Sequence, residues 1–342
     1  MGLLIDGIWH VREPRELGQD AARPYIAQDG ARAMLSEGAF RNWVTPTGRP
    51  GPTGHDGFAA AAGRYHVYVS YACPWAQRAM IMRALKGLEK IVSVSVTHWH
   101  RGEQGWSFIP GEGVVADPVF GARYLHEIYT HSDPAYTGRV TVPVLWDKHT
   151  QTIVNNESGD IVRMFNSAFD AVGAKPDNFR PPELRAQIDD WNARIQGDVN
   201  EGVYRAGFAS TAAMHQAMVD RLFAALDAID THLASSRFLC GAALTEADVR
   251  LFPTLLRFDA VYYDLFRCRR KHLADYKNLW AYTRDLYQWP GVASTVDMRH
   301  IRRHYYESMP SLNPAGTVPD DGVPDFEAPA DRGRDVSRLL TF

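Results

Sequence analysis

The run Tyr65-His66-Val67-Tyr68-Val69-Ser70-Tyr71-Ala72-Cys73-Pro74-Trp75-Ala76 joins two periodicities across one cysteine. Tyr65, Val67 and Val69 alternate with other residues over 65–71, the two-residue repeat of a strand. From Pro74 to Lys86 the chain turns to Ala, Met, Leu and Arg, with proline suited to a first helical turn and Gly87 to the stop. Cys73 therefore sits at a strand-to-helix junction. A thiol there faces unpaired backbone N–H groups and the positive end of the helix dipole. Both favour the thiolate, and such a pKa can fall to roughly 3.5–7.5. A buried structural cysteine is the alternative at an arbitrary position; the Cys-Pro step at a βα turn points instead to a reactive one.

Outward from this junction, Ile91–Val96 is β-branched and alternating, a second strand. Residues 99–139 are Gly-rich, aromatic and aperiodic, which predicts a long loop insertion of the kind that usually carries function. Thr141-Val142-Pro143-Val144-Leu145-Trp146 and Thr152-Ile153-Val154-Asn155 read as two short strands around a turn at Asp147-Lys148-His149. A helix follows, with Ile161, Val162, Met164 and Phe165 on a helical period. The order β-α-β, long loop, β-β-α, with a cysteine between the first strand and first helix, is the thioredoxin plan. It is expected over 61–170, after an irregular Gly/Pro-rich lead-in at 1–60. Pro176 to Pro182 reads as a linker. Helices over Pro182–Asn200, Ala212–Leu233, Thr245–Asp264 and Tyr276–Gln288 make 181–310 an all-helical domain. Thr245 with Asp248 forms a shortened capping box there. The 311–342 tail is Pro/Asp/Gly-rich and is expected to wrap the surface or to be partly mobile. The expected fold class is thus α/β plus all-α.

The bulk numbers exclude several function classes. A net charge of −3 over 342 residues lacks the basic excess of a nucleic-acid binder. No run approaches the roughly 18–20 apolar residues of a membrane span, and Met1-Gly2-Leu3-Leu4-Ile5-Asp6 lacks the features of a signal peptide. Three cysteines are too few and too scattered for a disulfide framework or zinc cage, so a cytoplasmic protein with reduced thiols is expected. His98 and His100 share a strand-like spacing without a third ligand, and no metal is expected. Cys240, in Phe238-Leu239-Cys240, should be packed. Cys268, between Arg267 and Arg269, should lie on a solvated helix face, and the basic run Arg267 to Lys271 could steer an anion or meet a second subunit.

A disulfide oxidoreductase carries Cys-x-x-Cys, but Ala76 stands where the resolving cysteine would be. A single thiolate can form a mixed disulfide, which an external thiol must then release; glutathione is the abundant candidate. Val142-Pro143 opens the third strand where the thioredoxin plan places a cis peptide, which would leave the Val142 backbone for an extended peptide ligand; a trans proline at a sheet edge is the alternative. Glu157-Ser158 begins the next helix and could bind the carboxylate and amine of a γ-glutamyl group, or could simply cap that helix.

Taken together, these residues resemble the glutathione transferase superfamily, and within it the Xi class, the glutathionyl-hydroquinone reductases. The matching runs include 61–70, Ala72-Cys73-Pro74-Trp75-Ala76, 140–147, Asn155-Asn156-Glu157-Ser158, 200–209, 255–262, 275–280 and His304-Tyr305-Tyr306. The resemblance covers about residues 40 to 325 and implies a helical glutathione-transferase C-terminal domain. It implies that Cys73 is the nucleophile and that Tyr204 exchanges a proton with the leaving hydroquinone. It also implies that the hydroxyls of Tyr262 and Tyr305 favour the thiolate. Trp106, Arg139, Val140, Thr141, Val142, Glu157 and Ser158 resemble the glutathione pocket. Each tyrosine taken alone reads first as a core residue. The implied reaction takes glutathione as co-substrate and a glutathionylated aromatic hydroquinone as partner, in a homodimer. Gln77 stands where a histidine is usual and Tyr71 where a leucine is common. Two other readings stand beside this one: a broader Omega-like thioltransferase or dehydroascorbate reductase, and a non-catalytic binding module of the same fold.

Overall fold

Asp6 and Gly7 both take positive φ, 48° and 76°, the geometry of a two-residue hairpin turn. Around them Leu3–Ile5 (β1) folds back on Ile8–His10 (β2). Leu4 is fully buried and exchanges two backbone hydrogen bonds with Gly138, at 3.0 and 2.9 Å. Trp43–Thr45 (β3) pairs in parallel with Gly57–Ala59 (β4). The irregular lead-in expected over 1–60 is thus corrected where the chain is described: these segments are short strands with buried anchors. The computed structural model describes residues 2–11, 39–320 and 322–332, so part of that lead-in, and the end of the tail, lie outside the described residues.

The sequence then delivers Tyr65–Val69 (β5), Pro74–Leu85 (α1), Ser93–Val96 (β6), Leu125–Ser132 (α2), Val144–Asp147 (β7), Thr152–Asn155 (β8) and Ser158–Ser167 (α3). The four-stranded sheet runs β6-β5-β7-β8, with β5 and β6 parallel and the other pairs antiparallel. Every residue of β5 is buried. Its alternation therefore separates two covered faces rather than a wet and a dry one. Tyr68 donates to Asp117 at 3.0 Å and Ser95 on β6 to the Ala116 carbonyl at 2.9 Å, so the segment after β6 covers part of this sheet. That segment, expected as loop throughout 99–139, contains α2. Its Leu125, Ile128 and Tyr129 recur at i, i+3 and i+4 and are fully buried. α1 and α3 pack against each other.

The second unit spans Asp177–Ser294 and continues from Pro319. It holds Arg185–Ile195 (α4), Gly202–Gly207 (α5), Ala212–Leu233 (α6), Glu246–Arg257 (α7) and Lys277–Tyr287 (α8), and no β-strand among its described residues. Thr245 and Asp248 make the expected capping box, with the Thr245 N–H donating to the Asp248 carboxylate at 2.8 Å. The helices expected over 182–200 and 245–264 end in π turns, Gln196–Asn200 and Phe258–Tyr262. The described tail is tied down. Phe326 is buried against Trp280 and Tyr287, and Arg332 donates to the carbonyls of Asn278, Leu233, Ser236 and Arg237.

The first unit takes the chain up to Pro176 and regains it at Thr295–Val318. That returning stretch forms Met298–Glu307 (α9), capped by Asp297, which accepts from the His300 N–H at 2.9 Å. The helical domain expected to run to 310 therefore gives its last helix to the first unit.

Candidate active site

Cys73 is the N-cap residue of α1, with extended φ and ψ of −80° and 119°, and Pro74 fills the first helical position. The change from β5 to α1 is thus made at the cysteine itself. Its thiol lies 3.6 Å from the Val142 carbonyl, and the Val142–Pro143 peptide is cis. Cys73 is half-buried, whereas Cys240 and Cys268 are buried. Burial pushes the Cys240 thiol up to about 11 and that of Cys268 up to about 12. The solvated position expected for Cys268 is thereby corrected. Its N–H is held by the Tyr262 carbonyl at 3.2 Å, which turns the side chain inward despite two flanking arginines.

The segment expected to hold glutathione lies beside Cys73 in the first unit. Arg139, Val140 and Thr141 are half-buried and Val142 is buried. Among the described residues nothing accepts from the Val142 N–H. Glu157 caps α3: its Oε1 accepts the Gly159 N–H at 3.1 Å and the Ser158 hydroxyl at 3.4 Å. The capping alternative for Glu157 is therefore realised, and its Oε2 has no partner among the described residues. Trp106 is buried and stacks on His304, ring centroids 4.9 Å apart and 24° between planes. Tyr305 is buried on α9 in the same unit.

Tyr204 and Tyr262 lie in the second unit. Their hydroxyls are 3.4 Å apart, and both rings meet Phe266. Each emerges at a π turn: Tyr262 ends the second, and Tyr204 follows the first within α5. Such turns are common at functional sites. Of the two departures noted above, Gln77 is buried and donates to the Thr295 carbonyl at 3.5 Å. Tyr71 sets its ring edge against His300 at 5.6 Å.

Residues 72–168 match the glutathione S-transferase N-terminal domain family and residues 189–285 its C-terminal counterpart. The glutathionyl-hydroquinone reductase YqjG of Escherichia coli is 47% identical over 98% of this chain and 99% of its own length. A solved Xi-class transferase from Natrialba magadii matches with a TM-score of 0.86 at 44% identity, covering 96% of each chain. The chain belongs to the Xi-class glutathione transferases, the glutathionyl-hydroquinone reductase family. PcpF of Sphingobium chlorophenolicum, named a glutathionyl-hydroquinone reductase, is 47% identical over 93% of this chain and 96% of its own. The glutathione-bound structure of YqjG matches with a TM-score of 0.87 at 46% identity, covering 98% of this chain and 100% of that one. The expected fold, a thioredoxin-like domain followed by a helical transferase domain, is the fold of this Xi-class chain.

Two residues that hold the candidate site's backbone escaped sequence reasoning. Tyr129 on α2 donates to the Thr141 carbonyl at 2.8 Å and accepts from the Thr141 N–H at 3.2 Å and Asn156 Nδ2 at 3.1 Å. It fixes the backbone just before Val142. Arg78, buried in α1, lies over Trp75 at 4.3 Å and donates to the Ser158 hydroxyl at 3.4 Å. Trp75 and Arg78, three apart on one helix face, were the available signal. Among the described residues no group of three His, Cys, Asp or Glu could hold a metal ion, and no helix is long and apolar enough to cross a membrane.

Proposed function

We propose that the protein reduces S-glutathionyl-hydroquinones to hydroquinones with glutathione, through a Cys73–glutathione mixed disulfide. The observation that carries the reading is Cys73 at the N-cap of α1 facing the cis Val142–Pro143 step, with Ala76 in place of a second thiol. The positive end of the α1 dipole stabilises a thiolate at that position. The thiolate attacks the glutathionyl sulfur. The S–S bond forms, the sulfur–aryl bond breaks, and its electron pair leaves on the aromatic carbon, which takes a proton. The ring is reduced and the sulfur oxidised. A second glutathione thiolate then attacks the mixed disulfide, releasing oxidised glutathione and regenerating the Cys73 thiolate.

Binding follows from the surrounding groups. The Val142 N–H and carbonyl suit the extended backbone of the tripeptide, and Glu157 Oε2 suits its ammonium. The start of α3 at Ser158 suits its carboxylate. Trp106, Arg139, Val140 and Thr141 complete the pocket. Tyr204 supplies the proton to the leaving carbon, and the 3.4 Å contact with the Tyr262 hydroxyl supports a shared proton there. Tyr262 and Tyr305 favour the thiolate. The reading extends to a homodimer in the cytoplasm, and sedimentation of the purified protein tests the first of these.

The deciding experiment supplies glutathione and a glutathionyl-hydroquinone and follows oxidised glutathione. Turnover that vanishes in Cys73→Ala is expected. No turnover of this substrate, with turnover of a simple glutathione mixed disulfide intact, would replace the reading with an Omega-like thioltransferase. Activity surviving Cys73→Ala would refute both.

A further inference from the structure

The returning helix α9 meets the Trp106-bearing segment through one stripe of side chains. His300 and His304 are spaced four apart, hence on one helix face, and Ser308, the C-cap residue, follows four further on. Each engages the backbone of the facing segment: His300 Nε2 lies 2.6 Å from the Glu112 carbonyl, His304 Nδ1 2.8 Å from the Trp99 carbonyl, and the Arg101 N–H donates to the Ser308 hydroxyl at 2.9 Å. A carbonyl only accepts, so His304 carries a proton on Nδ1 and donates it. The same imidazole stacks on Trp106, and both rings are about 5% exposed. Glu307 accepts from the Trp99 indole at 3.1 Å, and Arg303 lies over that indole at 4.2 Å.

We propose that His304 is a positioning residue for glutathione: it fixes Trp106 through its ring face and the segment that carries Trp106 through its Nδ1–H, registering both on the helix that bears Tyr305. The inference rests on the reading of Trp106 as a glutathione contact. His304 takes no part in the bond exchange proposed for Cys73. It acts by holding one face of an indole whose segment is irregular, and the Arg101 guanidinium, 5.1 Å from the centroid of the same ring, is the other side chain over it.

Three substitutions separate the two arms. His304→Phe keeps a ring and loses the N–H, His304→Asn keeps an N–H within reach of the Trp99 carbonyl and loses the ring, and His304→Leu loses both. We expect the glutathione KM to rise about tenfold in His304→Leu with kcat changed less than about threefold, and by intermediate amounts in the other two. In combination with Trp106→Ala, the double variant should be no worse than the poorer single one, because His304 works through that indole. Additive effects, or a glutathione KM in His304→Leu within about twofold of the parent while Trp106→Ala raises it, would overturn the inference and leave the proposed function standing. A Trp106→Ala variant with unchanged KM would instead strike the reading of Trp106, and the inference would fall with it. If His304→Leu does not fold, the cycle is run with His304→Phe and His304→Asn, to which the same outcomes apply.

Discussion

Tyr129→Phe removes one oxygen from a fully buried ring and changes almost no volume, so its effect isolates hydrogen bonding from packing. A phenol hydroxyl donates once and accepts twice, and this one does all three. It gives its proton to the Thr141 carbonyl at 2.8 Å and receives the Thr141 N–H at 3.2 Å and the Asn156 amide at 3.1 Å. Burial holds its pKa above the usual tyrosine value, so the group is neutral and the donor role is secure. At about 1 kcal/mol net for each of the three bonds, the loss is about 3 kcal/mol. Thr141 is half-buried, so water entering at that end can recover about half of it.

A urea titration should therefore show the midpoint of the first unit falling, at unchanged slope, by the equivalent of about 1.5–3 kcal/mol. The glutathione KM should rise as well, because Thr141 precedes the Val142 backbone edge. A stability change below about 0.5 kcal/mol, the range of an indifferent surface substitution, together with an unchanged KM would refute the view that Tyr129 orders this edge.

Iodoacetamide near neutral pH should label Cys73 alone in the folded protein and all three cysteines in denaturant, since burial holds Cys240 at about 11 and Cys268 at about 12; mass spectrometry of tryptic peptides reads this directly. His66 on β5, buried against Ser93 and Ser95 of the edge strand β6, is pushed down to about 4. Below its ordinary value near 6.5 the unfolded chain takes the proton first, so stability present above about pH 6.5 falls as pH drops to about 4. The loss from this group approaches roughly 3 kcal/mol, and a flatter stability–pH profile in His66→Leu checks it. Gly207→Ala should destabilise the second unit by about 1–3 kcal/mol, because the new methyl would come within 2.5 Å of the Phe266 ring; thermal unfolding measures this, and Tyr204 fluorescence quenching should change with it.

The strand-to-helix junction at Cys73 was legible because it is local. A change of period, a proline and a cysteine within a dozen residues fix β5, α1 and the place of the thiol, and the bounds of α6 and β8 follow from the same kind of pattern. α2 was hidden because eight residues offer only one apolar stripe, Leu125, Ile128 and Tyr129. α9 was hidden for a different reason. Its buried face is built from His300, Ile301, Arg302, His304, Tyr305 and Tyr306, so a search for apolar periodicity sees a charged stretch. The π turns at 196–200 and 258–262 were also out of reach, because each adds a residue to a turn inside an otherwise regular run. The Asp6-Gly7 hairpin, by contrast, had a readable signal in its dipeptide.

These failures share a cause that bears on the site. Around the Cys73 junction, the groups expected to face glutathione are largely backbone: the Val142 amide and carbonyl, and the first turn of α3. Backbone carries no side-chain signature, so its placement is written in the residues that hold it. Those are buried polar side chains, Tyr129 on Thr141, Arg78 on Ser158, and His304 and His300 on the carbonyls of Trp99 and Glu112. A buried polar group left without its partner is costly, so each of these four side chains fits only one arrangement of the segment it holds. The chemistry of the protein can thus be read from one dipeptide, Cys73-Pro74. The precision of the edge expected to face glutathione resides in residues 5 to 231 positions beyond Cys73, whose polarity makes them look like surface until their partners are seen.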